Sequence, residues 1–277
     1  MELFQYRFFI NALMAAVLAS ISCGYIGTYI VTRRIVFVSG GISHASFGGV
    51  GIAYFLGMNP IIGAAIFSLF SALSIEALSK SLELRKDALV GMMWSFGMAV
   101  GVFFIFITPG YASNLMMYLF GNILTVSGFD LYMMLVLAII IISTFALLFK
   151  EIITISFDEE YAMTLGIHTV VINFIMISLV ALTIVVNIRI VGIILVIALL
   201  TIPQATANIF TKKYKQIILL AILFGLLSSL SGLILSYQLN IPSGATIIFL
   251  SIIIYLISKI ISMGYRKIRQ KKGLIQQ

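Results

Sequence analysis

The chain has 277 residues, 62% of them apolar and only 9% charged, and a mean hydropathy of +1.19 leaves no room for a sizeable soluble domain. A formal net charge of +8 would suit nucleic acid, but the basic residues sit at the ends of apolar runs, where cytoplasmic loops of membrane proteins collect them. Cys23 is the only cysteine, which excludes an internal disulfide and a Cys-rich metal cluster.

Nine apolar segments are long enough to cross a bilayer core as helix. They run near 8–32, 38–57, 61–79, 88–108, 131–149, 170–187, 190–209, 216–237 and 245–263. Turn residues separate several of them, at Asn59-Pro60, Pro109-Gly110, Ser127-Gly128 and 240–244. The first is too long for a signal-peptide core and has no small-residue cleavage site behind it, so it is expected to remain as the first span. The expected fold class is all-α: a polytopic integral membrane helical bundle of eight or nine transmembrane helices, with 1–277 as one domain.

Charge orients the spans. Arg33 and Arg34 follow the first; Lys80, Arg85 and Lys86 the third; Lys150 the fifth; Lys212, Lys213 and Lys215 the seventh; and a basic cluster from Arg266 to Lys272 the ninth. Gaps after even-numbered spans hold only Arg189 as a positive charge. Nine spans with the N-terminus outside and the C-terminus in the cytoplasm satisfy this pattern. A re-entrant segment around His44 would reduce the count to eight and move the N-terminus inside.

The second segment carries His44, the one titratable side chain deep in an apolar run. Such a residue is costly in a membrane and marks a functional site by default. Gly41, Ala45 and Gly49 recur every fourth residue, a small-residue face for close helix packing. His44, Gly48, Gly51 and Phe55 share the neighbouring face, so His44 is expected to project over glycines into open space. Two readings stand: a transition-metal ligand, or a histidine bonded to a facing helix. Glu76 closes the third segment within one turn of Lys80, a helix-end pair.

Between the fourth and fifth spans, Tyr118–Leu124 is apolar but too short to cross, and reads as a partly embedded helix or an aromatic belt at the interface. The segment 150–168 holds four of the nine carboxylates. Ser156 or Asp158 can cap a short helix there, Gly166 can end it, and Tyr161, Met163 and Leu165 supply apolar knobs. It reads as a docking helix or as a capped connecting loop. Arg189, between two spans on the outer side, could hold an outer loop or meet an acidic partner, but reads better as a solvated loop-end charge. Pro203 is expected to kink the seventh span, and Thr201, Gln204 and Thr206 make that kink polar, either around a pathway or as structure alone.

The absences narrow the classes. No carboxylate lies near the middle of a span, which weighs against an ion-coupled carrier. No multi-His cluster, Gly-x-Ser-x-Gly elbow or intramembrane Asp pair supports a membrane enzyme. No P-loop appears, so ATP use would have to come from a separate subunit.

Several motifs in one order resemble the permease subunits of bacterial ABC importers for zinc, manganese and iron. They are Arg33-Arg34 before Ser43-His44-Ala45, then Phe55–Pro60, Tyr118–Leu124, Ser156-Phe157-Asp158 with Ala162 and Gly166, Val191–Pro203, and Lys212-Lys213. The resemblance implies a homodimeric permease in the bacterial cytoplasmic membrane, two copies of a cytoplasmic ATPase, and an extracytoplasmic metal-binding protein. It implies no permanently bound cofactor, with ATP reaching the system through the partner and a divalent metal as cargo. Residues 156–168 would be the coupling helix, with Phe157, Asp158, Glu159, Glu160, Ala162 and Gly166 at the ATPase, and His44 would line the metal path. Thr201, Pro203 and Gln204 are the candidate pathway kink. Family members typically carry Asp one turn before the histidine; here Gly40 stands in that place. Losing that carboxylate points to zinc ahead of manganese or iron, with Ser43 or another helix as a substitute ligand. A metal-chelate permease and an ion-coupled secondary transporter are the competing expectations.

Overall fold

The computed structural model describes residues 6–81, 85–108 and 123–271, so the Tyr118–Asn122 part of the short apolar segment lies outside the described residues. The helices are α1 (Arg7–Thr32), α2 (Val36–Phe55), α3 (Pro60–Ser81), α4 (Lys86–Ile107), α5 (Gly128–Leu147), α6 (Phe149–Phe157), α7 (Glu159–Thr164), α8 (Thr169–Leu199), α9 (Ile202–Phe210), α10 (Tyr214–Leu239) and α11 (Ser243–Lys271). Among the described residues there is no strand. In hydrocarbon every backbone donor and acceptor must be satisfied within its own segment, so long apolar runs become helices. Hydroxyls inside the bundle follow the same rule: Ser20 donates to Ala16 O, Thr28 to Gly24 O, and Ser43 to Ser39 O at 2.7 Å.

Among the described residues, eight helical stretches are long and apolar enough to cross a membrane, and one of them, Thr169–Phe210, has 42 residues. At about 1.5 Å per residue a straight helix of that length would be roughly twice as long as a hydrocarbon core is thick. It does not run straight. Gly192 (φ 81, ψ 162) interrupts α8 in a conformation essentially confined to glycine. Before it, Arg189 reaches Asp130 in the first turn of α5, at the end of the bundle where Asn11 donates to Val126 O. Beyond it, Gln204 donates to Cys23 O in the middle of α1. The chain therefore turns back at Gly192. The separate spans expected at 170–187 and 190–209 are its two limbs, joined without a loop.

Segment two is a full helix of 20 residues rather than a re-entrant turn. It lies between α3 and α4, antiparallel to the first and parallel to the second. A Cβ on Gly49 would collide with the backbone of Gly63 in α3, and one on Gly51 would lie 2.5 Å from Gly101 O in α4. Gly41 faces Val90 of α4, and Gly48 lies against Gly97. The small-residue face expected from Gly41, Ala45 and Gly49 is thus divided between two neighbours, because three residues spread over two helical turns reach both. Helices α2 and α8 are the most enclosed, whereas α4 and α11 expose most of their apolar surface, as helices facing lipid do.

One local expectation changes, and another gains a partner. Pro203 does not sit inside a helix: the chain breaks at Thr201 (φ −128), and Pro203 occupies the first turn of α9, where its missing N–H costs no hydrogen bond. Glu76 meets Lys86 of α4 at 2.9 Å, a partner the i,i+4 pattern could not show, while the Lys80 side chain expected beside it lies outside the described residues.

Candidate functional site: the His44 helix and the 149–168 elbow

His44 stacks on Trp94 of α4, ring centroids 4.3 Å apart and planes 4° from parallel. Trp94 is the only tryptophan of the chain, and sequence reasoning missed it; a lone Trp inside an apolar span was the available signal. Stacking occupies a face of the imidazole and leaves its two nitrogens at the ring edge, where a metal or a hydrogen-bond partner binds. The side chain is half-buried. The open space beside it is not where it was expected. Gly48 and Gly51 are packed against α4, whereas a Cβ placed on Gly40, one turn before His44, would meet nothing within 4 Å. Ser43, the substitute ligand suggested by the sequence, is fully buried and bonded to its own helix. Among the described residues no three His, Cys, Asp or Glu side chains group to hold a metal.

At the 149–168 elbow, α6 follows α5 after one residue, and α7 follows α6 across Asp158. Asp158 is the cap: its Oδ1 accepts from Tyr161 N at 2.9 Å. Gly166 (φ 76) closes the helix, with Gly166 N bonded to Met163 O and Ile167 N to Ala162 O, the paired bonds of a Schellman end. Ala162 is buried, which fixes the elbow to the bundle. Phe157, Tyr161, Met163 and Leu165 are each more than half exposed, and Glu160 is exposed beside them. Four large apolar side chains on one capped elbow form a patch that solvent disfavours and a protein partner can cover.

Glu159 behaves differently from its neighbour. Its Oε2 meets Arg33 Nη2 at 2.8 Å and its Oε1 accepts from Asn173 Nδ2 at 2.6 Å, so it faces the bundle rather than the patch. Burial disfavours the Arg33 charge, but Tyr29, Glu159 and Glu76 together more than offset it, and its pKa lies above the ordinary arginine value. Arg33 was read only as an orienting charge and as part of a motif, and Asn173 was not singled out; partners this distant in the chain leave no spacing signal.

The polar break at 201–206 packs inward. Thr201 donates to Ile197 O and Thr206 to Ile202 O, while Gln204 is fully buried and donates to Cys23 O at 2.7 Å and Leu199 O at 3.1 Å. Arg189 is not a free loop-end charge: it pairs with Asp130 at 2.7 Å, and Asp130 also accepts from Ser127 in a capping box. That pair ties the Gly192 turn to the start of α5.

Eight apolar helical stretches among the described residues define a polytopic membrane protein. The chain belongs to the ABC 3 transport family, whose model matches residues 5–262. It is 42% identical to an uncharacterised membrane protein of Synechocystis over 92% of this chain and 90% of that one. It is 37% identical to the manganese transport system membrane protein MntC of Listeria monocytogenes, over 92% of this chain and 91% of that one. Among solved structures, PsaBC from Streptococcus pneumoniae in complex with Fab superposes with a TM-score of 0.82 at 30% identity, over 93% of this chain and 92% of that one. The resemblance carried by the motifs holds along nearly the full chain.

Proposed function

We propose that the chain is the membrane permease of an ABC importer for a divalent transition metal in the bacterial cytoplasmic membrane. It works as a homodimer with two copies of a cytoplasmic ATPase and receives metal from an extracytoplasmic binding protein. The observation that carries this reading is His44, held by Trp94 on an enclosed helix, in a chain matched by its family over 5–262. One histidine per chain suits brief contact with a passing ion, and a second copy would bring a second imidazole to the path. Among the divalent metals, manganese is favoured. The named relatives with a stated metal are manganese systems, and the open space at Gly40 leaves room for a hard, octahedral ion to keep part of its water shell. Uptake of labelled manganese by the reconstituted permease and ATPase tests this: unlabelled manganese is expected to compete better than zinc. Stronger competition by zinc would restore the preference read from the missing carboxylate.

The ATPase docks on the α6–α7 elbow through Phe157, Tyr161, Met163 and Leu165, with Glu160 at the edge. Placing two charges in that patch, Tyr161→Asp with Met163→Asp, is expected to lower ATPase recovered on co-purification by about tenfold or more, since buried anchors dominate interface energy. The permease itself should melt as the wild type, because neither side chain contributes to the bundle core. Full recovery of ATPase would rule the patch out.

A further inference from the structure

Arg33 stands where the docking elbow, the α1–α2 turn and α8 meet. Its Nη1 donates to Ile155 O in α6 at 2.7 Å, and its Nη2 binds Glu159, the first residue of α7, at 2.8 Å. The other Glu159 oxygen is held by Asn173 in the first turns of α8. The side chains of Arg33 and Glu159 are 14% and 28% exposed, so water does not dissolve the pair.

We propose that the Arg33–Glu159 pair is the mechanical link through which movement of the docking elbow reaches α2, the helix carrying His44. The proposal rests on the reading of the elbow as the ATPase-docking segment. The turn between Arg33 and α2 is short and stiff. Arg34 takes a left-handed conformation (φ 58), with Arg34 N bonded to Val31 O and Ile35 N to Ile30 O. A displacement at Arg33 is therefore passed to the start of α2 rather than absorbed by a flexible loop. Arg33 also lines a small cavity together with Tyr29, Glu76, Lys86 and Asn173. The Glu76–Lys86 pair there joins α3 to α4, the two helices that clasp α2. With one carboxylate gripping both Arg33 and Asn173, the elbow cannot shift without pulling the α1–α2 turn or α8.

Glu159→Gln tests the link, because it keeps the side chain's size while removing its charge and one of the two acceptor oxygens that hold Arg33 and Asn173. In the permease–ATPase complex reconstituted in liposomes, ATPase recovery and basal ATP hydrolysis are expected to stay near wild type. Manganese moved per ATP hydrolysed should fall about fivefold or more, within the range that coupling residues contribute. Reversing the pair, Arg33→Glu with Glu159→Arg, should regain at least half of the lost ratio. A lowered melting temperature with an unchanged manganese-to-ATP ratio would overturn the proposal and leave the pair as a fold staple. Loss of the ATPase from Glu159→Gln would also overturn it, making Glu159 a docking contact. Retention of the ATPase by the Tyr161→Asp, Met163→Asp variant would instead defeat the docking reading, independently of the ratio.

Discussion

His44→Ala is expected to reduce ATP-dependent manganese uptake by about 100-fold or more. Disturbing a residue that merely orients a metal ligand costs about 10–100-fold, and removing the ligand should cost at least that. ATPase recovery and basal hydrolysis should persist, since His44 sits on α2 and stacks on α4 while the docking patch is on α6 and α7. His44→Gln separates a ligand from a packing residue. An amide can lie against Trp94 and make a hydrogen bond, but it is a poor ligand for a transition metal. Wild-type uptake by the Gln variant, measured with manganese and with zinc, would make His44 a packing residue.

Gly49→Leu carries the largest expected effect on stability. A side chain at Gly49 would strike the Gly63 backbone, and Gly63 in turn approaches the Gly49 carbonyl. Backbone has no rotamer to escape into, so α2 and α3 must separate. Overpacking a well-filled core costs about 1–3 kcal/mol, and here a whole helix crossing is lost, against a typical total of about 5–15 kcal/mol. Thermal unfolding in detergent should show a large loss for Gly49→Leu. The loss should be smaller for Gly41→Leu, whose obstacle is the Val90 side chain, and small for Gly40→Ala, which meets open space. Equal melting temperatures for all three would show that the α2–α3 crossing is not close-packed.

Much of this architecture was legible because membrane helices announce themselves by length and hydropathy, and eight of the expected segments coincide with α1–α5, the first limb of α8, α10 and α11. The ninth was legible as an apolar run but not as a limb folded directly onto its neighbour. A reversal at one glycine needs no loop, and nothing in the apolar run Val191–Pro203 marks Gly192 as the place of the turn. Caps are local and were readable: Asp158 and Gly166 do what their chemistry suggests. Partners are not local. Nothing in the spacing could show that Glu159 turns toward Arg33 while Glu160 beside it faces out, that Glu76 meets Lys86, or that Arg189 meets Asp130. His44 was conspicuous as a charge-bearing residue among apolar ones. Its surroundings were misplaced because glycines on one face were read as empty space, when Gly48 and Gly51 pack against Gly97 and Gly101 of α4.

Sealed liposomes containing the chain, its ATPase and the metal-loaded binding protein provide the most direct measurement. Manganese accumulation should appear only when ATP reaches the ATPase and should be indifferent to an imposed proton or sodium gradient. Accumulation driven by an ion gradient without ATP would contradict an ABC permease.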